Sequence, residues 1–303
     1  MKNSDLFLPL ENREALSDEN GCHSPSFWGG VYRRLYCNRA AFASLVILVL
    51  LAMLAITGPL LSSHTYFETN LTQKNLVPTR DSWFGTDDLG RDMFTRICYG
   101  ARISLFVGIT AASIDLIIGV LWGGIAAFAG GRVDTLLMRI ADILYAIPYL
   151  LIVIMLMVVM GTGLVPIIIA LTITGWINMA RIVRGQIFQL KEQEYILAAT
   201  ALGAGRRRIL FKHLIPNVMG PIIVTMTLTI PTAIFTEAFL SFLGLGVQAP
   251  MASWGTMAND GLPAMRYYPW RLFFPAAFIS ITMLSFNLLG DGLRDALDPK
   301  SRK

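Results

Sequence analysis

Apolar residues along this chain fall into long uncharged stretches rather than into an alternating pattern. Residues 41–62 carry no charge, residues 103–128 carry Asp115 alone, and residues 143–180 carry none. About 20 consecutive apolar residues cross the hydrocarbon core of a bilayer as a helix. Lipid admits only helices and closed barrels, and no strand-like alternation occurs, so these stretches predict membrane-spanning helices.

Residues 143–180 are too long for one span and contain a break. Gly161, Gly163 and Pro166 lie in the middle, and such residues favour turns. We therefore expect two helices in a tight hairpin. Two more apolar stretches follow, which predicts an all-α membrane protein with six transmembrane helices, at residues 41–62, 103–128, 143–160, 164–180, 217–237 and 272–290.

Positive charge is concentrated on one side of these spans. Most of the 25 lysines and arginines lie in residues 1–40, in the loops after the second and fourth helices, and in residues 291–303. Such residues accumulate in cytoplasmic loops, which places both termini in the cytoplasm and residues 63–100 and 241–270 outside. We expect a multi-pass protein of the cell (inner) membrane. Topology accounts for the net charge of +5, so no nucleic-acid partner is needed.

Residues 1–40 are predicted to be a cytoplasmic tail. Within it, residues 26–39 mix aromatic side chains with arginines. This composition fits an interfacial helix on the inner leaflet. It fits equally a positively charged flank with an aromatic belt before the first span.

The loop between the fourth and fifth helices, residues 184–216, is the most informative cytoplasmic segment. Residues 194–202 favour a helix, and Gly203 and Gly205 suit a C-terminal cap with positive φ. A further short helix is expected after these glycines. The segment therefore predicts a compact helix–turn–helix.

That second helix is predicted at residues 206–214, and Pro216 is expected to end it. Small side chains in the first helix would let another protein approach its backbone closely. Four apolar side chains could fill pockets in such a partner, namely Ile196, Leu197, Ile209 and Phe211. An ordinary solvated hairpin is the alternative that these residues leave open.

This segment resembles the EAA loop of ABC importer permeases. The Ala-Ala pair, the glycine and the proline of that loop stand here at Ala198, Ala199, Gly203 and Pro216. The pattern's glutamate, isoleucine and leucine are replaced by Leu197, His213 and Ile215, which is typical of the dipeptide/oligopeptide/nickel branch. Further segments resemble the C-type subunit of that branch, at residues 84–92, 99–105, 239–246, 253–255 and 287–299. Residues 178–186 favour the oligopeptide permeases within it.

The resemblance implies a type I ABC importer permease fold, with the transmembrane domain over residues 101–290. Such a subunit forms half of the translocation pathway for oligopeptides, and the same branch also carries dipeptides, nickel chelates or antimicrobial peptides. The implied partners are a homologous second permease, two ABC ATPase subunits and an extracytoplasmic peptide-binding protein. The residues implied to contact an ATPase are Glu194, Leu197, Ala198, Ala199, Gly203, His213, Ile215 and Pro216.

The chain itself is not expected to be an enzyme. It contains no Gly-Lys pair and therefore no Walker A phosphate loop, so ATP and Mg are expected on the partner ATPases and no cofactor on this chain. Its cysteines and histidines are too scattered for a metal site or a disulfide framework. An ion-coupled secondary transporter is the alternative of a different class. Such proteins usually show several ionisable groups within their spans, whereas Asp115 is alone here.

Three polar features are candidates for a role in or beside the pathway. Asp115 should face the bundle or the pathway, and a structural hydrogen bond and a contact with substrate fit it equally. Glu237, at the outer end of the fifth span, could meet a peptide amine, but a hydrogen bond at the outer rim is favoured. Residues 86–92 contain three aspartates and Arg91, which predicts a salt-bridged turn in preference to a metal site.

Small residues in the second span predict close contacts between helices. Gly119 and Gly123 are four positions apart, as are Gly108 and Ala112. Pairs of small residues at this spacing lie on one helix face and let backbones approach. We expect packing within the bundle there in preference to a gating hinge.

Overall fold

The computed structural model describes residues 27–297, which form helices joined by loops. Residues 1–26 and 298–303, which belong to the two predicted tails, lie outside this range. The helices are α1 Phe27–Cys37, α2 Arg39–Leu61, α3 Met93–Ala129, α4 Gly131–Ala146, α5 Tyr149–Met160, α6 Leu164–Lys191, α7 Glu194–Ala201, α8 Ile215–Phe242, α9 Trp254–Gly261 and α10 Trp270–Leu297. Arg206–Arg208 and Ile209–Leu214 are helical and precede α8, and a short 3-10 turn covers Leu71–Gln73.

Within the described range, five helices are long and apolar enough to cross a membrane: α2, α3, α6, α10 and the helix from Ile209 to Phe242. The sixth candidate is a pair, α4 and α5, bent by 79°. The prediction of one helix over residues 143–160 is therefore wrong. Ile147 is extended, as residues before proline tend to be, and Pro148 begins α5 instead of continuing α4.

α3 is the longest helix and runs past the predicted span at its start. Asp92 caps it, with its Oδ2 accepting from the Thr95 N–H at 2.8 Å. At 37 residues it extends about 55 Å at 1.5 Å per residue, more than the roughly 30 Å of hydrocarbon. Part of α3 therefore lies within residues 63–100, which the sequence assigned to a loop.

Glycines of α3 let it pack directly against two other helices. A side chain at Gly119 or Gly123 would overlap Met179 or Ala180 of α6, and one at Gly108 would overlap Ile234 of α8. The predicted close packing is confirmed. α3 thus lies at the centre of the bundle, between α6 and α8.

α10 continues to Leu297 without a break. The described part of the predicted tail, residues 291–297, is therefore helical and continues the last span. Gly290 packs beneath Leu228 of α8, and Gly292 packs against Ala41 of α2. These close contacts hold the end of α10 against the bundle, so the helix has no reason to stop at residue 290.

Candidate functional sites: a helical hairpin and a polar groove

Lys191, the last residue of α6, joins the helical hairpin (residues 194–214) to the end of α3. Its Nζ donates to the carbonyl oxygens of Ala127 at 3.1 Å and Phe128 at 3.4 Å. The last carbonyls of a helix lack partners within it and favour a cation. The hairpin is therefore fixed at the opposite end of α3 from its Asp92 cap.

The turn of the hairpin depends on Gly203. α7 ends at Ala201, and Gly203 has a φ of 78°. The Ala204 N–H then donates to the Ala199 carbonyl at 3.0 Å, which closes the helix end. The predicted cap with positive φ is confirmed for Gly203 and wrong for Gly205, whose φ is not positive.

Pro216 does not end the second helix of the hairpin. Arg206–Arg208, a π-helical stretch over Ile209–Leu214 and α8 follow one another without a break. In the π-helical stretch the Ile215 N–H donates to the Leu210 carbonyl, five residues earlier. The wider winding of a π-helix moves the backbone carbonyls away from the position where they would clash with the ring of Pro216. The second helix of the hairpin and α8 therefore form one continuous helix.

Some apolar side chains of the hairpin are buried against the bundle, and others are exposed. Ile196 and Ile209 are buried against the bundle, so the expectation that they fill a partner's pocket is wrong. Leu197, Leu202 and Phe211 are 58%, 89% and 61% exposed. These three form an apolar surface around the hairpin that the described chain does not cover.

The sequence-predicted loop residues lie on and around this surface. Five are exposed and three are half-buried. The exposed ones are Glu194, Leu197, Ala198, Gly203 and Pro216, and the half-buried ones are Ala199, His213 and Ile215.

A groove of about 430 Å³ lies between α3, α6 and α8. It is called the polar groove for its threonine, asparagine and aspartate side chains, but leucine, isoleucine and alanine side chains also line it. Thr174 and Asn178 line it from α6. The residues that line it from α8 are Thr225, Leu228, Thr229, Thr232, Ala233 and Thr236. A second cavity, of about 480 Å³, shares Ile182, Thr225 and Leu228 with the groove and reaches Arg294. The two cavities lie next to each other along one face of α8, and the second is lined mainly by apolar residues.

Asp115 of α3 lies against this groove and is 4% exposed. Gly175 of α6 makes room for it, since any side chain there would overlap the carboxylate. Its Oδ1 has no hydrogen-bond partner among the described residues, and neither does the hydroxyl of nearby Tyr149. The sequence left open a structural hydrogen bond or a contact with substrate for Asp115. The structure shows no hydrogen bond from Asp115 Oδ1 to another described residue.

Glu237 lies elsewhere, fully buried between α3 and α8. Its carboxylate accepts from the hydroxyls of Ser104 at 3.2 Å and Ser241 at 2.8 Å. It does not line the groove. The structure thus places it in an internal serine network and not beside the groove.

A charged cluster surrounds the start of α3 and is formed by Asp87, Arg91, Arg96 and Asp260. Asp87 Oδ1 accepts from the main-chain N–H of Arg91 at 2.9 Å. Its Oδ2 accepts from Arg91 Nε at 2.7 Å and from the Arg96 guanidinium. Arg96 also lies 3.7 Å from Asp260. Residues 86–92 are thus the expected salt-bridged turn, with the Asp87 oxygens already occupied.

These contacts control the ionisation of Asp87. Burial acts to raise its pKa, but the guanidinium of Arg96 and the N–H and guanidinium groups of Arg91 outweigh burial and lower the pKa below its usual value. Asp87 is therefore held as a carboxylate at neutral pH.

Comparison with known proteins decides the family. Residues 119–303 match the family described as the binding-protein-dependent transport system inner membrane component. This chain belongs to that family. Residues 26–78 of the permease also match the N-terminal TM domain of oligopeptide transport permease C. The fold is accordingly that of a type I importer permease.

Relatives match the permease over nearly its whole length. It is 60% identical to the oligopeptide transport system permease protein OppC of Bacillus subtilis, across 99% of this chain and 98% of that protein. It is also 60% identical to the dipeptide transport system permease protein DppC of the same organism, across 97% and 91%. OppC of Escherichia coli is 43% identical, across 98% and 100%.

The groove is the part of the permease that sequence reasoning missed. Asp115 was singled out as a lone charge within a span, but Tyr149 and Gly175 lie in other helices and no spacing links them to it. The signal that could have been followed is the threonine series Thr225, Thr229, Thr232 and Thr236, which recurs on one helical face.

Proposed function

We propose that this permease forms half of the translocation pathway for oligopeptides in an importer driven by ATP hydrolysis on partner subunits. One observation carries the proposal: the hairpin exposes Leu197, Leu202 and Phe211 at the end of a helix that continues into the groove wall. Small and apolar exposed residues suit a protein partner rather than water. The names of the OppC relatives support oligopeptides as cargo.

The proposed partners are two ABC ATPase subunits, a homologous second permease and an extracytoplasmic peptide-binding protein. One ATPase would grip the hairpin, with ATP and Mg bound by the ATPases and no cofactor held by the permease. Because the second helix of the hairpin and α8 are one helix, closure of the ATPases would move the wall that carries Thr225 to Thr236. The hairpin end, with both termini, would then face the cytoplasm.

Dipeptides are a second candidate cargo. The observation that favours them is the DppC relative of Bacillus subtilis, at the same 60% identity as OppC. The groove alone does not distinguish dipeptides from longer peptides, since cargo length in such a system also depends on the separate binding protein.

The test is uptake by the complete importer in proteoliposomes. Labelled peptides of two to six alanines would be offered, with ATP inside or outside, and vesicles assembled without this permease would be the control. We expect uptake only with ATP on the hairpin side, with peptides longer than two residues preferred. Uptake driven by an ion gradient without ATP would instead identify a secondary transporter and overturn the proposal.

A further inference from the structure

The α8 wall of the polar groove presents hydrogen-bond acceptors. Thr225, Thr229, Thr232 and Thr236 share one face of α8. Each donates its hydroxyl proton to the carbonyl four residues earlier, at 2.8 to 3.1 Å. A hydroxyl has one proton but two lone pairs. With the proton committed to the helix, the oxygen offers the groove only acceptor sites.

Asp115 adds a carboxyl group to this groove. It is 4% exposed, and its Oδ1 lacks a partner among residues 27–297. Among the described residues that line the groove, none is basic. A buried carboxylate without a partner is costly, and a donor that enters the groove from outside the chain would offset that cost.

Glu237 shows how the same bundle treats a carboxylate with a structural role. That side chain is fully buried and accepts from Ser104 and Ser241. Asp115 has comparable burial and no such partners. Gly175, where a side chain would displace the Asp115 carboxylate, keeps a space for this carboxylate beside the groove.

We propose that Asp115 and the threonine face of α8 form a subsite for a primary ammonium group, the amino terminus of a peptide in transit. An ammonium group carries three donors and no acceptor, which matches a wall of acceptors around one carboxylate. This subsite rests on the proposed function, because it assumes peptide cargo. It assigns Asp115 to cargo recognition within the membrane, downstream of the binding protein.

The experiment measures protection of a cysteine in the groove. Cys22, Cys37 and Cys98 would be replaced by alanine, and Asn178→Cys, on the exposed α6 side of the groove, would report alkylation by N-ethylmaleimide. The sample is the purified permease pair with its ATPases, without nucleotide or binding protein. The probes are trialanine and N-acetyl-trialanine, in which acetylation replaces the ammonium group by a neutral amide.

We expect trialanine to protect the cysteine at a concentration about tenfold lower than N-acetyl-trialanine, as one charge-assisted hydrogen bond gives. Asp115→Asn should abolish this preference, and Gly175→Ala should weaken it by displacing the carboxylate. Glu237→Gln, the matched buried carboxylate outside the groove, should keep it. If the Asp115→Asn permease does not assemble with the ATPases, the preference measured in Gly175→Ala tests the subsite instead.

Equal protection by the two peptides with Asp115 present would overturn the subsite. So would a preference that survives Asp115→Asn, or the absence of protection by either peptide. Uptake by the unaltered importer separates this failure from that of the proposed function. ATP-driven uptake with no ammonium preference contradicts the subsite alone, whereas the absence of uptake contradicts the function.

Discussion

The charged cluster at one end of α3 and the helical hairpin beyond its other end treat their side chains in opposite ways. In the cluster, Asp87 and Arg96 are buried and are paired within the chain. In the hairpin, Leu202 and Phe211 are apolar and exposed. Buried charges need partners and exposed apolar surface favours contact. The carboxylate of Asp87 is therefore satisfied within this chain, whereas the hairpin leaves apolar side chains uncovered by the described residues.

This contrast separates residues that stabilise the fold from residues that are expected to contact a partner. Changes in the charged cluster should unfold the permease without any specific effect on its partners. Changes in the hairpin should release a partner while the fold persists.

Asp87→Ala should cause the largest loss of stability. It leaves Arg91 and Arg96 buried without their shared carboxylate, and removal of one member of a buried ion pair costs about 3–5 kcal/mol. Thermal unfolding in detergent measures the effect. The control is Asp142→Ala, whose exposed carboxylate pairs with the exposed Arg181 and should cost at most about 1 kcal/mol. Similar losses for both variants would contradict the cluster's role.

The same cluster predicts a dependence of stability on pH. Because the folded-state pKa of Asp87 is lowered, its contribution is fully present above the unfolded-state pKa and is lost as pH falls through the folded-state pKa. Unfolding midpoints measured from pH 7 down to acid should fall less steeply in Asp87→Ala than in the unaltered permease. Parallel curves would show that Asp87 does not contribute in this way.

Leu202→Asp should weaken association with the ATPases by at least about 30-fold, the loss typical of a central interface residue. Leu202 is 89% exposed, so the change should leave the fold intact. Co-purification and binding in nanodiscs measure it. Leu262→Asp is the matched control, an exposed leucine beyond the end of α9, and should leave association unchanged. Equal loss in both variants would point to general misfolding.

Gly203→Ala should loosen the hairpin by about 1–2 kcal/mol, since its left-handed backbone disfavours a side chain. Gly205→Ala is the control, because the space around both glycines is open and Gly205 lacks the positive φ. Hydrogen exchange of α7 amides should speed up about five- to 30-fold in Gly203→Ala alone. Unchanged exchange would show that the turn does not depend on this glycine.

Arg181→Ala should have the smallest effect. Arg181 pairs with Asp142 at 2.8 Å, and both side chains are well exposed. Exposed pairs contribute about 0–1 kcal/mol. The temperature of thermal unfolding should therefore change little. A loss of stability as large as that of Asp87→Ala would contradict the distinction between exposed and buried ion pairs.

Sequence patterns predicted the features that depend on local chemistry. The apolar stretches predicted the helices, and Gly119 and Gly123 predicted close helix packing, which the structure shows between α3 and α6. Sequence patterns did not predict the features that depend on tertiary contacts. Pro216 was expected to end a helix, but the π-helical stretch before it accommodates the proline ring.

The two carboxylates show the same limit. Ser104, which donates to Glu237, is 133 positions away in the chain, and no local pattern reveals such a partner. Asp115 stood out because a charge within a span is rare. Its role depended on Gly175 and Tyr149, which only the fold brings beside it.

Hydrogen exchange with and without the ATPases tests the central claim most directly. The permease pair in nanodiscs would be measured alone and with the ATPases bound, without nucleotide. We predict that amides of residues 194–214 exchange at least about tenfold more slowly in the complex, while those of residues 69–92 stay unchanged. A complex that forms with no protection of residues 194–214, and with protection elsewhere, would contradict the account.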